Sequence, residues 1–205
     1  MSVTHFEILV EEASMEAALR AMLPSLLAGV SFAVYPHQCK EELLQRLPDR
    51  LRGYTAWLPE TSRIVVVVDR DDDDCRVLKR RLEGIAASAG MAPPAVAPAG
   101  NWTAVNRLVI EELEAWYFGD WDAVRAVYPR VPATVPQRAG YRDPDAIAGG
   151  TWEAFERVLR ASGYFRGGLR KIEAARTIAP NMDPSRNRSR SFQVFRDTLM
   201  GILPT

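Results

Sequence analysis

The chain has 205 residues, and its 47% hydrophobic content is ample for a real core; 26 Lys and Arg balance 26 Asp and Glu. No apolar stretch approaches the roughly 20 residues of a membrane-spanning helix, and Cys39 and Cys75 are too few and too far apart for a zinc motif. The opening MSVTHFEILVEE has no basic leader followed by an apolar core, so a reducing cytoplasm is the expected location.

Taken in order, Phe6 to Val10 (FEILV) is predicted as a strand ending in Glu11-Glu12. Ser14 is placed to cap a helix whose apolar positions Met15, Ala18, Leu19, Met22, Leu23 and Leu26 follow the 3–4 spacing of a packed face, with Pro24 bending or restarting it. A second strand is expected over Val30–Tyr35 and a helix over Glu41–Leu51. Ile64 to Val68 is an all-aliphatic, β-branched run, the pattern of a strand covered on both faces in a parallel sheet. A helix over Asp74–Ala89 follows, then a Pro- and Ala-rich stretch from Met91 to Gly100 with at most one short strand near Val96. This alternation predicts an α/β unit with a mostly parallel sheet flanked by helices.

Beyond Asn101 the pattern changes to helices and loops. Thr103–Phe118 reads as one amphipathic helix, with Val105, Val109, Leu113 and Trp116 inward and Arg107, Glu111 and Glu114 sharing another face. Pro129–Gly150 is loop-rich, and helices are expected near Trp152–Ser162, Leu169–Ile178 and Phe192–Leu203. The expected organisation is an α/β core over residues 1–100 and a helical elaboration over 101–205, packed on the same core.

Asp69, Asp71, Asp72, Asp73 and Asp74 pile carboxylates onto the end of the aliphatic strand, where open α/β sheets bind ligands. Such groups repel one another unless a cation is present, and hard oxygen donors favour Mg²⁺, Mn²⁺ or Ca²⁺ over zinc. Glu11, Asp69 and Asp71 are the leading candidate ligands; the i, i+2 spacing of Asp69 and Asp71 puts both on one side if the backbone stays extended. Asp73 and Asp74 are further candidates, with capping of the next helix by either one as the competing reading. Glu111 and Glu114 are weaker candidates, since Arg107–Glu111 reads equally as an intrahelical ion pair. His5 and His37 have no partner pattern and read as surface or strand-edge residues.

The charge is uneven: the first third leans acidic, whereas Arg157, Arg160, Arg166, Arg170, Lys171, Arg176, Arg186, Arg188 and Arg190 face only Glu173 and Asp183 in their stretch. Within it, Arg186, Arg188 and Arg190 alternate with Ser189 and Ser191, a pattern able to engage several phosphates. The competing reading has either serine capping the last helix and the arginines coating a solvated face. Lys171 is a candidate for neutralising transition-state charge. Tyr117, Tyr128, Tyr141 and Tyr164 each read as core or rim.

An acid after the first strand, a helix, then Asp-x-Asp at the tip of an aliphatic strand resembles a Toprim domain, the catalytic module of type II and IA topoisomerases, primases and the nucleases of the overcoming-lysogenisation-defect class. ILVEEASMEAALRAMLP, VVVVDRDDDDCRVLKRRL, IEELEAWYFGD and IAPNMDPSRNRSRSFQVF together resemble a bacterial Toprim-like family of the domain-of-unknown-function type, over nearly the whole chain. The resemblance implies that Glu11 acts as general acid/base or metal ligand and that Asp69 and Asp71 hold Mg²⁺. Two departures stand out: Glu12 occupies a position usually held by glycine, and Met15 one where several such nucleases carry a second acid. The implied activity is Mg²⁺- or Mn²⁺-dependent hydrolysis of DNA or RNA in antiphage defence or repair. The chain lacks G-x-x-x-x-G-K-[ST] and so carries no P-loop of its own; the resemblance implies an ABC/SMC-type ATPase as a partner in trans, and a homodimer is a further expectation. The competing readings are a non-catalytic metal- and nucleic-acid-binding or partner-docking subunit, and a phosphohydrolase or phosphotransferase acting on a small substrate.

Overall fold

The computed structural model describes residues 2–91 and 102–203. β1 (His5–Val10), β2 (Ser31–Pro36), β3 (Ser62–Asp69) and β4 (Ala104–Val109) form one sheet in the order β2-β1-β3-β4, with every pairing parallel. Helix α1 (Ala13–Leu26) connects β1 to β2, α2 (Lys40–Trp57) connects β2 to β3, and α3 (Cys75–Ser88) follows β3. The fold is therefore the expected α/β arrangement with a parallel, helix-flanked sheet.

Every residue of β3 is buried, which is why its aliphatic character is unbroken. Its side chains alternate between two cores. Val65 and Val67 face a core shared with Phe6, Ile8, Val10 and α1, while Ile64, Val66 and Val68 face one built with α2 and α3. The later helices, α4 (Glu114–Gly119), α5 (Trp121–Val127), α6 (Thr151–Ala161), α7 (Lys171–Ile178) and α8 (Arg190–Met200), all pack on the α1 side. No helix among the described residues is long and apolar enough to cross a membrane.

The structure corrects several local expectations. Residues 103–118 are not one helix: β4 pairs with β3 from Ile64↔Ala104 to Asp69↔Val109, and only Glu114–Gly119 is helical. The four-residue spacing of Val105 and Val109 suits one face of a strand as well as a helix, and pairing with the buried β3 edge decides between them. Arg107, Glu111 and Glu114 thus share no helical face. Ser14 is no cap; Glu12 occupies the N-cap position without bonding the backbone, and the Ser14 hydroxyl donates to the Glu12 carboxylate. Helix α2 continues through Pro48 to Trp57, and α5 is an element the sequence pattern did not announce. The short strand expected near Val96 and the boundary near residue 100 lie outside the described residues.

Candidate metal centre

Helix α1 leaves β1 toward one face of the sheet and α3 leaves β3 toward the other. The crevice between the carboxyl ends of these adjacent strands is the topological switch point, where such sheets bind ligands. Glu11 follows β1 and Asp69 ends β3, so both stand at this crevice. The Asp69 backbone N–H donates to Glu11 Oε2 at 3.1 Å. Asp69 itself is 5% exposed, and its Oδ1 is buried without a hydrogen-bond partner.

Two groups from α4 share this condition. Glu114 is 1% exposed with Oε2 unpartnered, and Tyr117, one turn later, has a buried, unpartnered hydroxyl. Burial pushes the Asp69 carboxyl well above the usual carboxylate range, reinforced by Glu11, Glu12, Glu114 and Asp71. Burial, then Asp71, lifts Glu11 to about 7 against the pull of Lys40 and the Asp69 amide. Glu114 also rises to about 7 through burial, with Lys171 opposing and Glu112 adding to the shift. Clustered acids and raised pKa values are how a site short of positive charge presents itself.

Lys171, the first residue of α7, supplies part of that charge. Its burial disfavours the ammonium, but Glu114, Glu12, Glu112 and Asp69 outweigh burial and raise its pKa. Lys171 Nζ lies 3.8 Å from Glu112 Oε1. Glu112 in turn accepts from Thr151 Oγ1 and the Trp152 N–H, tying the start of α6 to the loop after β4. Beside these groups Glu12, Ser14, His37, Arg170 and Lys171 line an open cleft of about 670 Å³. His37 sits at the end of β2, its Nδ1 2.9 Å from the Val10 carbonyl oxygen, a strand-edge role as expected.

The aspartate run does not act as one cluster. Asp71 has φ +48, so the backbone turns sharply after β3 and the extended geometry that would align Asp69 with Asp71 is absent. The Arg70 and Asp71 amides instead donate to the Val109 and Glu111 carbonyls. Asp71 and Asp73 turn their carboxylates to Lys40 Nζ, at 2.7 and 2.8 Å. Asp74 caps α3, accepting from the Arg76 and Val77 amides at 2.9 Å each, and Asp72 is exposed. Glu111 also has positive φ and is ion-paired with Arg70, so its carboxylate is engaged. Arg107 donates to Thr198 Oγ1 at 2.6 Å and makes no pair with Glu111. Lys40, Arg70 and Glu112 are the site residues that sequence patterning did not single out.

The serines of the basic segment serve the fold. Ser189 is fully buried; its Oγ donates to Asp145 Oδ1 at 2.7 Å and accepts from the Phe192 amide, capping α8. Ser191 is 6% exposed, donates its amide to Asp145 Oδ2, and accepts from Trp116 Nε1 at 3.1 Å. Ser189 thus takes the capping alternative, and the hydroxyls of both serines are engaged within the fold. Arg186 Nε donates at 2.7 Å to the buried Asp120 carboxylate. Arg188 and Arg190 are exposed.

A family model described as Domain of unknown function (DUF4276) matches residues 10–200, a span that takes in Glu11, Asp69, Glu114 and Lys171. The chain belongs to this family. A solved structure, the C-terminal region of the Xanthomonas campestris pv. campestris OLD protein, is similar to this DUF4276 member over 98% of this chain and 92% of that one, at 16% identity and a TM-score of 0.49. No curated protein matches the chain.

The donors at the crevice of this DUF4276 chain fit a hard cation. Asp69 Oδ1 and Glu114 Oε2 are buried carboxylate oxygens with no hydrogen bond, and Glu11 lies beside Asp69. Among the described residues, no three His, Cys, Asp or Glu side chains converge as a ready-made cage. Mg²⁺ rarely demands one: it keeps several waters and is held by one or two carboxylates plus substrate phosphates. Asp69, with Glu11 or Glu114, meets that requirement.

Proposed function

We propose that the chain is a Toprim-type nuclease that hydrolyses phosphodiester bonds of DNA or RNA with Mg²⁺ or Mn²⁺. The observation that carries this reading is the buried, unpartnered carboxylate oxygen of Asp69 beside Glu11 at the switch point of the sheet. The resemblance of the four sequence motifs to Toprim-like proteins points the same way.

In this reading Asp69 is the principal ligand, with Glu11 or Glu114 beside it. The bound ion would polarise the scissile phosphate and offset the negative charge that develops on it. Lys171 holds an ammonium at the cleft mouth, where it attracts the phosphate and adds to that stabilisation. Glu11, with a pKa near 7 when no cation is present, is suited to exchange a proton with an attacking water. Arg170 shares the cleft with Lys171 and extends the cationic surface met by the substrate. The setting that accords with this reading is cytoplasmic antiphage defence or repair, with an ABC/SMC-type ATPase in trans or a second copy of the chain.

A second reading, a non-catalytic metal- and nucleic-acid-binding subunit, is favoured by one observation: Lys40 already engages Asp71 and Asp73. The two readings separate in one assay. Supercoiled plasmid, single-stranded DNA and RNA are incubated with the protein and Mg²⁺ or Mn²⁺, beside Glu11→Ala and Asp69→Ala. Metal-dependent cleavage lost in both variants supports the nuclease. Nucleic-acid binding without cleavage, even with an ATPase added, supports the subunit.

A further inference from the structure

We propose that Lys40 is a resident counter-cation: its ammonium fills the place a second metal ion would take, so the centre takes one divalent ion. The inference rests on the metal reading above and sharpens it, because two-metal phosphodiester sites need a second set of oxygen donors close to the first.

That second set is present and already engaged. Lys40 Nζ lies 2.7 Å from Asp71 Oδ2, 2.8 Å from Asp73 Oδ2 and 3.2 Å from the Arg70 carbonyl oxygen. An ammonium has three N–H donors, and here three oxygen acceptors meet them. Lys40 is 7% exposed, whereas the Asp71 and Asp73 side chains are 44% and 51% exposed, so the ammonium is buried beneath two carboxylates that still reach solvent. Two carboxylates and a backbone carbonyl are also the donors a hard cation would use.

The position of Lys40 is costly unless it serves such an end. It is the first residue of α2, where the helix dipole disfavours positive charge, and Cys39 before it makes no side-chain cap. Burial also works against the ammonium, yet hydrogen bonds to Asp71 and Asp73 outweigh it and raise the Lys40 pKa. The lysine reaches from the start of α2 to the loop after β3, and its charge bears on Glu11 as well. Lys40 is therefore a positioning residue: it ties down the turn after β3 through Asp71, Asp73 and the Arg70 carbonyl, and it leaves Asp69 to hold the ion.

Counting bound Mn²⁺ on the metal-free full chain by electron paramagnetic resonance tests this directly. Wild type is expected to bind one ion, and Lys40→Ala two, because Asp71, Asp73 and the Arg70 carbonyl are released. Lys40→Ala with Asp71→Asn should fall back to one. Two ions on wild type, or no gain in a folded Lys40→Ala, overturn the proposal. If Lys40→Ala does not fold, the wild-type count still decides, one ion supporting and two overturning. No ion on wild type overturns the metal reading instead, and a single ion gained by Lys40→Ala then supports the role of Lys40 on its own.

Discussion

The Asp69 amide donates to the Glu11 carboxylate across the two central strands, which binds the ends of β1 and β3 into one unit. The bond uses one acceptor of Glu11 and none of Asp69, whose own carboxylate keeps one oxygen, Oδ1, buried without a partner. A buried carboxylate in that state is destabilising unless a proton or a cation joins it. In the proposed reading, the fold gives up stability at this centre for the binding of a cation.

Asp69→Asn should therefore separate stability from function. Without metal at pH 8, the variant is expected to be more stable than wild type by about 1–3 kcal/mol in urea unfolding. Metal-dependent cleavage should drop by at least about 100-fold, since loss of a ligand exceeds the effect of losing outer-shell support. A destabilised variant with full activity would show that Asp69 is a structural acid.

The metal-free protein should lose stability as pH rises. Glu11 and Glu114 have folded pKa values of about 7 against an ordinary 4.5. Between those values these two groups hold protons in the folded chain that the unfolded chain has released, so unfolding becomes easier from about pH 4.5 to 7, and the raised Asp69 carboxyl adds to the loss in the same direction. Excess Mg²⁺ or Mn²⁺ favours the ionised carboxylates and should recover stability at pH 8. Thermal melts across this range, with and without metal, read both effects. Glu114→Gln should flatten the metal-free profile.

The NRSRS stretch should behave as a clamp. A Cβ added at Gly119 would lie 2.1 Å from Asn187 Oδ1 and 2.8 Å from the Ser189 backbone nitrogen. Asn187 also donates to the Trp116 carbonyl, so neither group can move aside freely. Gly119→Ala is expected to cost about 2 kcal/mol or more in urea unfolding. Ser189→Ala, which removes the cap of α8 and its bond to Asp145, should cost about 1–2 kcal/mol. Both should leave nucleic-acid affinity of the folded protein unchanged.

Much of this architecture is legible in the sequence because local signals and tertiary burial agree. The run Ile64–Val68 is buried on both faces, and the 3–4 spacing of α1 marks the side it buries. Glu11 and Asp69 stand at strand ends that those runs define. The miss at β4 has a physical cause: Val105 and Val109 satisfy two periodicities, and only the pairing with β3 chooses. Glu114 shares no helical face with Arg107 and Glu111, yet its charge bears on Asp69 because α4 begins only a short turn after β4. The backbone turn at Asp71 cannot be read from four consecutive aspartates. Lys40 did leave a signal, a cation at a helix start against the dipole, but its partners lie 30 to 33 residues away in the chain.

Anomalous scattering from Mn²⁺-soaked crystals tests the central claim most directly. One strong peak bonded to Asp69 at the carboxyl ends of β1 and β3 is the predicted result, with Lys40 still between Asp71 and Asp73. The absence of a peak at Asp69 in well-ordered crystals with Mn²⁺ in excess, or a peak only among the exposed aspartates of the loop, would contradict it.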